Sequence, residues 1–277
     1  MKKSTIALAL AMSAVAATAS AAESTTTPSE AQLVEDGRKA DQQVTVTARY
    51  FRPKLTAKVK SDDIQKYYSS SKVDLVDTLN IDDKSNSPEL LFSYRNMKLD
   101  YLHFSTDGNA NLASEPIKVN DYEYNGNAKT DLDFDYLKFD VTNPLYHTDN
   151  LNVDWSYGIA AMHWKAEVKG DARATNGSTT YTAHRSESVD FTAPIPMIGF
   201  KASAAIGSNV SAHASIAGLP LGSYGHIFDS ELGLSYYPVS NVDIQAGYRI
   251  IDLKIDHDDD YGQFKLDGPW AGVRVWF

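Results

Sequence analysis

From residue 43 onward, apolar and polar residues alternate along most of this chain. In residues 242–250, Val242, Ile244, Ala246, Tyr248 and Ile250 share one parity, and Asp243, Gln245, Gly247 and Arg249 share the other. A period of two is that of an extended strand, whose successive side chains point to opposite faces. The full strand there is expected over 242–256. The same signature predicts nine more, over 44–59, 89–95, 98–105, 130–141, 151–168, 187–206, 210–217, 227–239 and 264–277. Connections near Asn96 and at 144–150, 207–209 and 240–241 are short. Those at 60–88, 106–129, 171–186, 219–226 and 257–262 are longer or more polar.

Composition sharpens the reading. The mean hydropathy is -0.35 although 43% of residues are hydrophobic. No segment after the N-terminal 22 residues reaches the run of roughly 18 apolar residues that a membrane helix requires. Alternation reconciles these facts with a membrane location, because a barrel strand shows lipid only every second residue. Lipid offers no partner to an open sheet edge, so such a sheet must close on itself. Short turns at one end and longer loops at the other are the known asymmetry of these barrels. The expected fold is therefore all-β: a transmembrane antiparallel up-and-down barrel. Ten strands fit the pattern, eight are the runner-up, and twelve would need strands hidden in the first loops.

Several strands exchange their apolar parity partway. After Tyr136 the apolar set moves to Leu137, Phe139 and Val141. After Ala161 it moves to Trp164, Ala166 and Val168, and after Ile250 to Ile251, Leu253 and Ile255. A bulge would do this. A strand leaving the lipid and continuing above it would also do so. The second reading suits Asp252, Lys254 and Asp256, since a charge at the bilayer midplane costs about 2–4 kcal/mol and far less near the interface. Tyr94, Tyr146, Trp155, Tyr236, Tyr237 and Trp276 lie beside short turns, where an aromatic girdle is expected.

The N-terminus carries Lys2 and Lys3, an apolar stretch from Ile6 to Ala17, and small residues ending in Ala21-Ala22. This is the layout of a cleaved secretory signal. The organisation expected is a signal peptide at 1–22, a flexible periplasmic linker at 23–42 and a barrel at 43–277. With 0 cysteines there is no disulfide framework and no lipidated cysteine. Losing the two signal lysines moves the net charge from -10 to -12. No basic patch points to nucleic acid, and no residue pattern implies a cofactor.

Arg49, Arg95, Asp154, Lys201, Glu231, Asp243, Arg249 and Arg274 fall on the polar parity and are expected in the lumen. Both signs are present, so in a narrow barrel they should pair and fill the interior. The run Asp256, His257, Asp258, Asp259, Asp260 is a weak candidate for a divalent cation, since dense carboxylates offer oxygen ligands. It lacks the spacing of a calcium loop and reads as a solvated acidic turn.

The closing strand ends on Val273, Val275 and Phe277 with Trp276 between them. It resembles the C-terminal signal by which bacterial outer-membrane barrels are recognised for insertion. His213 and Ser215, with Glu231 in the next strand, resemble the arrangement in outer-membrane lipid A deacylases. A serine nucleophile needs a base beside it and an acid to orient that base. Residues two apart on a strand share a face, which permits the spacing. The pair lies on the lumen parity, however, whereas a lipid-cleaving site should open to lipid. The bland reading is two ordinary lumen residues.

The span from about Val46 to Phe277 resembles a family of small proteobacterial outer-membrane barrels of unassigned activity. The likeness is carried by Leu79-Asn80-Ile81-Asp82-Asp83, by Gly218-Leu219-Pro220-Leu221-Gly222-Ser223-Tyr224-Gly225, by Ala246-Gly247-Tyr248-Arg249 and by the closing strand. It implies the bacterial outer membrane as the location and offers no catalytic residue. The function expected is a non-catalytic barrel, structural or acting through its extracellular loops. The alternatives are a narrow porin-like channel for small or apolar solutes and a lipid A-modifying hydrolase. The partners expected are outer-membrane lipid and lipopolysaccharide, and the β-barrel assembly machinery during biogenesis, with the protein itself a monomer.

Overall fold

The computed structural model describes residues 44–60, 64–66, 72–114, 116–119, 122–148, 150–176, 179–239, 241–257 and 260–277. The expected signal peptide and linker lie outside the described residues. Ten strands form a closed antiparallel ring. In chain order they are β1 (Val44–Phe51), β5 (Ser87–Tyr94), β6 (Met97–Asn111), β8 (Tyr122–His147), β9 (Leu151–Asn176), β10 (Thr179–Gly207), β11 (Val210–Pro220), β12 (Gly225–Val239), β13 (Val242–His257) and β14 (Asp260–Trp276). Each pairs with the next, and β14 returns to β1, with Val46 opposite Val275 and Ala48 opposite Val273. Closure satisfies the backbone of every wall strand within the lipid, as the absence of water there demands.

The remaining strands and the α-helix sit in the chain between β1 and β8 at the long-loop end. The chain kinks at Arg52-Pro53 and continues as β2 (Lys54–Lys60), which extends the pairing along β14. A Cβ on Gly268 would strike the Arg52 carbonyl and come within 2.8 Å of Pro53 Cα, so this crossing needs glycine. Short pieces follow: β3 (Ile64–Lys66), β4 (Val73–Asp74), the single-turn helix α1 (Leu75–Thr78) and, after β6, β7 (Ile117–Val119). The Asp74 side chain accepts from the Asp77 amide and caps α1. Leu75 and Val76 of α1 pack against the top of the barrel interior.

The parity exchanges mark a change of medium on both sides of the wall. Toward the short turns the outward residues are apolar and exposed, including Val46, Leu90, Phe92, Leu99, Leu137, Phe139, Ile159, Phe200, Leu232, Leu234 and Ile244. The inward ones there are polar: Thr45, Thr47, Asn152, Ser156, Ser235 and Gln245 are buried. Toward the long loops the pattern inverts. Asp131, Asp133 and Asp135 face out, while Phe134 and Tyr136 are buried inside with Leu132 packed against them. The apolar sets at Trp164 and at Ile251 and Leu253 likewise face the interior. No bulge accompanies these exchanges, since pairing from Thr130 to Pro144 along β9, and from Val242 to His257 along β14, is continuous. The strands leave the lipid, and above it the barrel encloses a water-excluding core like that of a soluble protein.

The extramembrane part forms a collar. β9 and β10 remain paired up to Asn176 and Thr179, far beyond the end of β11. Among the described residues, no strand pairs with the outer edge of β10 from Thr179 to Met197. Pro194 and Pro196 on that edge withhold two amide donors, a usual protection of exposed strand edges.

Candidate functional site: the lumen

The interior is layered. At mid-height lies an ion-pair network supplied by β1, β5, β6, β8, β12 and β13. Arg249 is its centre and is 1% exposed. Its Nε and Nη2 donate to the two Asp229 oxygens, both at 2.9 Å, and Nη2 also donates to Asp100 at 3.1 Å. Its Nη1 donates to Glu89. Lys138 donates to Asp229, and the Tyr136 hydroxyl joins the same carboxylate at 3.0 Å. Beside this, Arg49 donates to both oxygens of Glu231, at 2.6 and 3.2 Å. Charges taken out of water are tolerated only when paired and hydrogen-bonded in this way. The guanidinium of Arg49 also lies 4.0 Å from the Trp270 ring. That ring rests over the bare backbone of Gly233, where a Cβ would come within 2.8 Å of it.

Above the network is an apolar plug. Phe51, Leu55, Leu102, Phe104, Phe134 and Leu266 are each at most 1% exposed. The Phe134 ring meets Phe264 at 4.7 Å and Trp164 at 5.3 Å between centroids. Below the network, toward the short turns, the interior opens into a polar cavity of about 270 Å³. Arg274 and Asp243 pair at 2.5 Å in its wall, and Gln245 joins Asp243 at 3.1 Å. Lys201 donates to the Thr142 hydroxyl at 2.9 Å and lies 3.6 Å from Asp140. Asp154 is held by His147 Nε2 at 2.7 Å.

Arg49, Asp154, Lys201, Glu231, Asp243, Arg249 and Arg274 thus lie in or along the lumen. Arg95 does not. It occupies the exposed turn between β5 and β6 with φ 54°, where its guanidinium sits 5.2 Å from the Tyr94 ring. Its parity pointed inward, but the strand ends one residue before it. Tyr237 and Trp276, expected in the lipid girdle, are buried and stack on each other at 5.8 Å. Both belong to the lumen parity and close the cavity wall beneath Arg274, whose Cζ is 4.6 Å from the Trp276 ring. Glu89, Lys98, Asp100, Lys138, Asp140 and Asp229 were missed. Glu89 shares its parity with Ser93 and was legible. Lys138 and Asp140 were obscured by the parity exchange, which hid the inward face of β8.

The three residues of the hydrolase-like pattern are neighbours without a relay. His213 Nε2 is 3.4 Å from Glu231, but Glu231 is already bound through both oxygens by Arg49. No hydrogen bond joins Ser215 to His213, and both line the cavity, away from lipid. In the acidic turn, Asp256 pairs with Lys254 at 3.2 Å. Asp258 and Asp259 lie outside the described residues, as does the side chain of Asp260. Among the described residues, no group of three or more His, Asp or Glu is arranged to hold a metal ion. Of the closing residues, Val275 is 2% exposed and Phe277 57%.

No family model and no curated protein matches the chain. Solved structures do. The outer-membrane protease OmpT from Escherichia coli aligns with 84% of this chain and 97% of its own, at 9% identity and a TM-score of 0.50. Neisserial surface protein A aligns with 84% of this chain and 97% of its own, at 15% identity and a TM-score of 0.30. The outer-membrane protein OprG from Pseudomonas aeruginosa aligns with 85% and 96%, at 9% identity and a TM-score of 0.31. The likeness to OmpT is one of fold, a closed antiparallel β-barrel. The chain is an outer-membrane β-barrel protein, and its place is the bacterial outer membrane.

Proposed function

We propose that this protein is a non-catalytic, non-conducting barrel that works through its extracellular collar as an interaction surface. The observation carrying this reading is the filled lumen. Arg249, Phe51, Phe104 and Phe134 are buried to 1% exposure or less, so no column of water runs past them. What remains accessible from outside is the collar, with the unpaired edge of β10 and the half-exposed Val189 and Phe191 beside it. Exposed apolar side chains at an open strand edge favour partner binding over simple solvation. The outward ion pairs of the collar, such as Lys129–Asp131 and Lys265–Asp267, suit contact with the charged headgroups of lipopolysaccharide. The closing strand with Val273, Val275 and Phe277 is the segment we assign to engagement by the assembly machinery, and the protein acts as a monomer. Planar-bilayer recording of the purified protein tests the reading. Insertion without discrete current steps is expected, and stable steps would overturn it in favour of a channel.

A further inference from the structure

We propose that the cavity at the short-turn end of the lumen is a binding site for a small oxyanion-bearing solute of the periplasm. The cavity has a built-in asymmetry between its cations and its acids. The Lys201 and Arg274 side chains remain 27% and 28% exposed toward it, whereas their partners Asp140 and Asp243 are 2% and 0% exposed. The acids have withdrawn into the wall, and the cationic heads face the void. Lys98, from β6, lines the same space. Asp100 and Glu231 attract it from a distance, but among the described residues no carboxylate lies within ion-pair reach of its head.

The two acids that do reach the cavity are already engaged. Glu231 is bound through both oxygens by Arg49, and Asp154 is bound by His147. The wall also holds nitrogen atoms buried without a hydrogen-bond partner: Arg49 Nε, Arg274 Nε and Trp276 Nε1. The unpartnered oxygens are Asn152 Oδ1 in the lining and, withdrawn behind it, Asp140 Oδ1 and Asp243 Oδ1. Buried donors left unmade are costly, and each calls for an acceptor. Three cationic heads turned to the void, with their acids withdrawn or engaged, define an oxyanion as the complement. The low-dielectric walls of a narrow cleft focus that field. The volume, about 270 Å³, sits near the lower end of small-molecule sites. A phosphate or a small polycarboxylate is the size that fits. Above the cavity the ion-pair network blocks passage, so the site binds without transporting.

Calorimetry on the full folded chain in detergent, titrated separately with inorganic phosphate and with citrate, tests this. The two probes separate phosphoryl from carboxylate recognition. Binding of at least one is expected, weakened severalfold by raising the salt. The double variant Lys98→Gln, Lys201→Gln should weaken it by about tenfold or more. Lys165→Gln, exposed on the collar stretch of β9, should leave it unchanged. Both variants are first shown to be folded by their heat-dependent gel mobility. Failure of the unsubstituted protein to bind either probe would overturn the proposal. So would equal binding by the double variant.

Discussion

Tyr101 bridges two media with one side chain. Its ring is 42% exposed on the lipid belt, and its hydroxyl donates upward to Asp135 at 2.7 Å. Tyr248 does the same toward Asp267 at 2.6 Å. These pairs trace the outer boundary of the hydrocarbon, where amphipathic rings belong. At Asp135, partial burial pushes the carboxyl up, but the hydrogen bonds from Tyr101 and His103 outweigh it and hold it below the ordinary carboxylate range. A carboxylate depressed in the folded state contributes stability above its unfolded pKa, about 3.9, and loses it as pH falls through the folded value. Tyr101→Phe should therefore raise the Asp135 pKa toward the ordinary value and shrink that acid-sensitive contribution. Carbon NMR titration of the Asp135 carboxyl in micelles measures this, and an unmoved midpoint would refute the assignment. Much of this level was legible in the sequence. Arg49, Glu231, Asp243, Arg249 and Arg274 stood out as charges on one parity of apolar strands. Their partners Asp100, Lys138 and Asp229 did not, because they lie where the apolar parity itself changes hands.

The strands carry the same lesson at larger scale. All ten wall strands were readable, because a period of two survives whatever the medium. Parity separates two faces but does not say which is inside. The set Leu132, Phe134 and Tyr136 is as apolar as Leu137 and Phe139, yet one faces an internal core and the other lipid. Only the pairing register, continuous through the exchange, decides between a bulge and a change of medium. The small pieces β3, β4, β7 and α1 escaped notice because two to four residues hold no period. The boundary can be tested by placing a cation on either side of it. Leu234→Arg, in the exposed apolar belt of β12, should cost about 2–4 kcal/mol. Ser188→Arg, exposed on the collar of β10, should stay within about 0.5 kcal/mol of the parent. Urea unfolding in lipid vesicles, followed by tryptophan emission, measures both. Equal costs would mean that the belt does not end where the parity inverts.

In the whole molecule, two barriers of different chemistry lie in series along one axis, with the open cavity beneath them. The ion-pair network is held by Arg249 and the apolar plug by Phe134, Trp164 and Phe264. Each is self-sufficient as a seal, because Arg249 and Phe134 at their centres are side chains that water does not reach. The arrangement predicts one-sided access to the cavity. The chain has 0 cysteines, so a single Ser93→Cys on its lining is an unambiguous reporter. In oriented vesicles a membrane-impermeant maleimide should label it from the short-turn side only. Arg249→Met strands Glu89 and Asp100 without their guanidinium and should cost about 3–5 kcal/mol. Phe134→Ala removes the centre of the plug at a cost of about 3–5 kcal/mol. In either background the other barrier still stands, so labelling should stay one-sided while stability falls. If either single substitution admits the reagent from the collar side, the two layers are one seal, and the barrel is a gated passage with a single gate.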